Sequence, residues 1–117
     1  MSAKAALKAA KAAIDAKKWD EAIEQAHVVL EKDANNYFAN VFIGHASDKS
    51  GRFEEAAKAY KGATAIKPED AQAWLGLRTM FEHMGPAKVD ENTDVGLKLA
   101  EIYMNLYASP ASLASRR

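Results

Sequence analysis

A period of 34 residues is the feature that most constrains how this chain can fold. Counted from Gly51, it reaches Gly85 ahead and Lys17 behind. Counted from Phe53 it reaches Trp19, and from Ala56 it reaches Ala22. Asn36 has partners at Ser2 and Asp70, and each of these is a good N-cap standing directly before a helix-forming run. The acidic pairs Asp20-Glu21 and Glu54-Glu55 sit where a helix N-terminus favours negative charge. Prolines occur only at Pro68, Pro86 and Pro110, and alternating β-branched runs are absent. The pattern predicts helices at about 3–16, 20–32, 37–49, 54–66, 71–84 and 92–108.

The stretch GRFEEAAKAYKGATAIKP shows how one period is built. Gly51 suits the left-handed conformation needed between two antiparallel helices. Pro68 stops the second helix. Between them Ala56, Tyr60 and Ala63 place small, large and small side chains on one face, a pattern for close helix packing. Trp74, Leu77 and Phe81 repeat the first half of the pattern, and Gly44 holds a small slot in the helix before. Trp19, Phe53, Tyr60, Trp74 and Phe81 are expected in the core. Two helices in a period of 34 residues are the tetratricopeptide-repeat signature. The expected fold is therefore all-α, a right-handed superhelical array of three helix-turn-helix units at about 3–36, 37–70 and 71–108. These form one domain over 1–108, with 109–117 a flexible tail.

The outer units depart from the pattern. The first has Ala9, Ala10 and Ala13 where larger residues are usual, and Lys17 replaces the turn glycine at a cost of roughly 1 kcal/mol. In the third, GPAKVDENTD reads as a longer polar loop. The last helix then carries Val95, Leu99, Ile102 and Leu106 on one face, with Tyr103 and Tyr107 beside them. A capping helix keeps a polar outer face, so this surface is expected to dock, either in self-association or against continuing structure.

Composition narrows function. The 117 residues carry a formal net charge of zero, which gives no long-range attraction to nucleic acid or anionic membrane. No cysteine is present, so neither a disulfide scaffold nor a thiolate metal site is available. No apolar run approaches the roughly 20 residues of a membrane span. Lysine at every third or fourth position breaks any secretory apolar region in the N-terminal stretch. His27, His45 and His83 have no metal-ligand spacing, and His27 and His83 are expected to cover helix surfaces. The glycines form no phosphate-binding loop and the serines no nucleophile elbow. No catalytic centre and no cofactor are expected.

The first helix of each pair should line a concave surface. Its expected lining is Lys4, Leu7 and Lys11, then Phe38, Val41, Phe42, His45 and Asp48, then Gln72, Leu75, Thr79 and Glu82. That mixture suits an extended or helical peptide held by one or two apolar anchors. Chaperone-binding tetratricopeptide domains hold a C-terminal carboxylate with lysine, asparagine, asparagine, lysine and arginine. The corresponding places here are Leu7, Lys11, Phe42, Gln72 and Gly76, too few cations for a bidentate carboxylate site. The ridge Lys4, Lys8 and Lys11 is either a solvated helix face or a contact for RNA or an acidic peptide. Finally, AALKAAKAAIDAKKW, AIKPEDAQAWLGL and GPAKVDE make the chain similar to the N-terminal repeats of the scaffold subunit of the fungal superkiller complex. That resemblance implies a cytoplasmic, non-enzymatic scaffold with a helicase and a WD-repeat subunit as partners, assisting exosome-mediated 3′–5′ mRNA decay.

Overall fold

The computed structural model describes residues 2–107, so the expected tail at 109–117 lies outside the described residues. The chain forms α1 (Ala3–Asp15), α2 (Trp19–Lys32), α3 (Tyr37–Lys49), α4 (Phe53–Ile66), α5 (Ala71–Met84), a 3₁₀ turn (Pro86–Lys88) and α6 (Val89–Tyr107). No strand occurs among the described residues.

The first helix of each pair begins on a side-chain cap. The oxygens of Ser2, Asn36 and Asp70 accept hydrogen bonds from the backbone N–H of Ala5, Ala39 and Gln72 at 3.1, 3.0 and 2.9 Å. Each satisfies one of the donors that a helix N-terminus leaves free. The second helices α2 and α4 have no side-chain cap and rely on Asp20-Glu21 and Glu54-Glu55 in their first turns.

The turns inside the first two pairs are the same device. Lys17 and Gly51 have φ of 59° and 80°. Lys18 N–H donates to the Ala13 carbonyl and Lys17 N–H to that of Ile14, at 2.8 and 3.0 Å. Arg52 and Gly51 do the same to Ser47 and Asp48, at 2.7 and 3.1 Å. These are Schellman closures, which use up carbonyls the helix end would strand. The third turn differs: Gly85 has φ 92° and ψ −166°, a region open essentially to glycine alone. Pro86 then starts a 3₁₀ turn that runs directly into α6. The polar stretch expected as a long loop is thus mostly helical. Asp90 and Glu91 are not loop residues but first-turn carboxylates at a helix N-terminus.

Packing follows chain order, each helix lying against the next. In addition α1 touches α3 and α3 touches α5, while α2, α4 and α6 make at most sparse contact with one another. First helices that touch and second helices that splay produce a curved stack, concave on the α1, α3 and α5 side. Hydrogen bonds between pairs span nearly one period. Arg52 donates to Asp20 at 2.7 Å across 32 residues, and Ala73 N–H donates to the Tyr37 hydroxyl at 3.1 Å across 36. The second of these is buried and satisfies a free first-turn donor of α5.

The tightest contact is made by Tyr60 of α4. Its ring lies against the α-carbons of Gly44 in α3 and Gly76 in α5. A Cβ on Gly44 would come within 2.8 Å of the ring, and one on Gly76 would overlap it. Tyr60 is 3% exposed, and Phe81 is also buried. Trp19, Phe53 and Trp74, expected in the core, are only partly buried at its edge. Trp74 keeps its indole N–H at the surface, where it donates to the Pro68 carbonyl at 3.0 Å and pins the loop between pairs. Gly76→Ala should gain about 1 kcal/mol of helix propensity but force Tyr60 out of its slot, for a net loss of about 1–2 kcal/mol in urea denaturation. Lys17→Gly should stabilise by roughly 0.5–1 kcal/mol in the same measurement.

Candidate functional site

Two adjoining cavities occupy the concave side. The first, of about 530 Å³, is lined by Lys4, Leu7, Lys8 and Lys11 of α1, Phe38 and Phe42 of α3, and Gln72 of α5. The second, of about 380 Å³, includes Val41, Phe42, His45 and Asp48 of α3, with Gln72, Leu75 and Thr79 of α5. Phe42 and Gln72 belong to both, so the two form one groove. Every residue expected along the concave surface lines it except Glu82. Glu82 lies outside both cavities and pairs with Arg78 at 3.4 Å, one helical turn away on the exposed surface of α5.

Ile14, Lys49, Tyr60 and Gly76 also line the second cavity, beyond the expected lining. Ile14 lies two turns from Leu7 and Lys49 one turn from His45, so helical spacing alone could have found both. Tyr60 could not be found that way, because it stands on a second helix. It reaches the groove because Gly44 and Gly76 put no side chain in its path.

The electrostatics of the groove are uneven. Asp48 is 7% exposed, and its carboxylate lies 2.9 Å from Nδ1 of His83. His83, expected merely to cover a helix surface, instead joins α5 to α3, because the curvature of the stack brings a residue 35 positions away onto Asp48. His45 meets the edge of Trp19, with ring centroids 5.6 Å apart. Burial, and then the neighbouring Lys49 charge, hold its pKa below the ordinary 6.5, although Asp48 pulls the other way. Burial pushes the Tyr37 hydroxyl up to about 12, consistent with its role as a neutral acceptor. Among the described residues no group of three or more His, Cys, Asp or Glu is placed to hold a metal ion, and no helix is long and apolar enough to cross a membrane.

The last helix corrects an expectation. Val95, Leu99 and Ile102, expected on a docking face, are 5%, 3% and 4% exposed. Val95 and Leu99 belong to the same core cluster as Leu77, Met80 and Phe81 of α5. They are the packing face of α6, because the helix begins at Val89, three residues before the expected start, and lies along α5. Of the expected face, Leu106 and Tyr103 are exposed, and the Tyr107 side chain lies outside the described set. The other large apolar residues exposed on α6 are Val89, Leu97 and Met104.

These observations define the class. The fold is a tetratricopeptide-repeat array, a curved stack of helix pairs with the first helices on its concave side. The solved structure of MamA MSR-1 C2 superposes on it with a TM-score of 0.80 at 24% identity, covering 89% of this chain and 59% of that one. No family model matches the chain.

Within that class the sequence resembles Superkiller protein 3. It is 38% identical to Superkiller complex protein 3 of Mus musculus over 101 residues, 86% of this chain. It is 45% identical to Superkiller protein 3 of Schizosaccharomyces pombe over 80 residues, 68% of this chain. Tetratricopeptide repeat protein 37 of Xenopus laevis is 38% identical over 101 residues. The chain spans 6% of the length of each of these relatives.

Two outcomes follow from this geometry. Leu99→Glu buries an unpaired charge and should cost at least about 3 kcal/mol, whereas exposed Met104→Glu should stay within about 0.5 kcal/mol; urea denaturation compares them. His45, neutral when folded, adds stability above pH 6.5 that is lost as pH falls through its depressed folded value. Proton NMR of its ring should show a midpoint under 6.5, and His45→Gln should flatten the loss of stability on the acid side.

Proposed function

We propose that this chain is a scaffold segment of the superkiller type, joining partner proteins in the cytoplasm in support of exosome-mediated 3′–5′ mRNA decay. The observation that carries this is the identity of 38% with Superkiller complex protein 3 across 86% of the chain. The described architecture suits the role: a curved stack with an uncovered groove and more than one face free for contact. In this proposal residues 1–108 act as one interaction domain of three units, 3–36, 37–70 and 71–108. The partners are the helicase and WD-repeat subunits that the resemblance implies. The exposed apolar residues Leu97, Met104 and Leu106 of α6 offer a second contact surface beside the groove, for self-association or for continuing structure.

The test is affinity purification of the tagged chain from its own cells, read by mass spectrometry. Recovery of a superkiller-type helicase and a WD-repeat subunit is expected, lost when the surface variant Leu97→Glu/Met104→Glu is combined with Phe38→Ala/Phe42→Ala. Recovery of neither subunit by the unaltered chain sinks the proposal.

A further inference from the structure

We infer that the α1 end of the groove binds an acidic polypeptide segment carrying a large apolar side chain, through Lys4, Lys8 and Lys11 together with Leu7, Phe38 and Phe42. The inference deepens the scaffold reading and rests on it, since it names the chemistry of what the concave face receives.

Lys4, Lys8 and Lys11 are spaced four and three residues apart on α1, which sets them in a row on one helical face. All three are exposed, and all three rim the cavity of about 530 Å³. No carboxylate lines that cavity. None of the three takes part in the ion pairs found among the described residues. Like charges one turn apart repel, so this row costs the isolated helix stability, and no ion pair found among the described residues offsets it. The Lys67 ammonium stands 5.6 Å from the centre of the Phe38 ring and adds positive charge at the same end.

Beneath the lysines the floor is apolar. Leu7 and Phe42 are partly buried, and Phe38 is 44% exposed, a large aromatic surface left to water beside a row of cations. Lysine stems can cover apolar surface while their ammonium groups stay in water, yet here Phe38 is still left open. An acidic segment with an apolar anchor answers both features at once: its carboxylates meet the lysines and its anchor covers Phe38. Asp48 is 7% exposed, hydrogen-bonded to His83 at 2.9 Å, and lies outside the cavity that the lysines rim. The net charge of zero disfavours a long polyanion, which would need a broader basic surface. Recognition is of an internal segment, because of the five places that would clamp a C-terminal carboxylate only Lys11 is cationic, the others being Leu7, Phe42, Gln72 and Gly76.

The experiment uses the full chain and a rhodamine-labelled, C-terminally amidated peptide with a Leu-Phe pair flanked on both sides by glutamates. Anisotropy at low salt should show saturable binding that weakens with added salt. Replacing the glutamates by lysines should abolish it, and replacing Leu-Phe by Ala-Ala should weaken it at least about tenfold. Lys8→Glu/Lys11→Glu should also weaken it roughly tenfold or more while circular dichroism stays unchanged, since both side chains are exposed and unpaired. Amide shifts in ¹⁵N NMR should concentrate in α1 and the first half of α3. Equal affinity for the glutamate and lysine peptides overturns the inference, as do shifts centred elsewhere. Oligouridine binding more tightly than the acidic peptide at the same residues assigns the ridge to RNA and also overturns it. Failure here leaves recovery of the superkiller subunits from cells unaffected, so the two readings fail separately.

Discussion

The Tyr60 ring is the contact on which the arrangement depends. It projects from α4 into a slot walled by α3 and α5, and the slot exists because Gly44 and Gly76 lack side chains. One residue thereby sets how closely the second pair approaches the third. The same insertion carries Tyr60 through to the concave side, where it lines the same cavity as His45 and Thr79. Packing and surface are therefore one feature: removing the glycines would separate α3 from α5 and change the groove floor together.

Around that wedge the stack is held by interactions that recur at about one period. Asp20 with Arg52, Tyr37 with Ala73 and Asp48 with His83 lie 32, 36 and 35 residues apart. The exposed pair adds little, with side chains 43% and 82% accessible. The buried Tyr37 bond contributes more, because it occupies a donor that the start of α5 would otherwise leave unsatisfied. Each such bond joins one pair to the next, alongside apolar clusters that also run from pair to pair.

The third pair shows the limit of the repeat. Gly85 keeps the 34-residue phase of Lys17 and Gly51 but adopts a different backbone, and Pro86 redirects the chain into a 3₁₀ turn. The consequence is a longer last helix whose Val95, Leu99 and Ile102 complete the core with α5. The polar residues that follow have a loop-like composition yet begin a helix. Asp90 and Glu91 are polar, but at a helix start that polarity is stabilising, and composition alone does not separate the two cases.

What the sequence by itself determined is the local closure of the first two helix pairs and the caps of each first helix. Ser2, Asn36 and Asp70 cap their helices, Lys17 and Gly51 close them, and Pro68 ends α4, because each acts within about one helical turn of its own position. The identity of the first helices as groove-lining was readable for the same reason, since helical spacing assigns a face. Only the tertiary structure decided which neighbours share that face. Tyr60 reaching through two glycines, His83 closing on Asp48, Glu82 turning away to Arg78 and the burial of α6 all depend on how pairs lean against one another. That angle is set by contacts among residues some 34 positions apart, whose meeting no local pattern encodes.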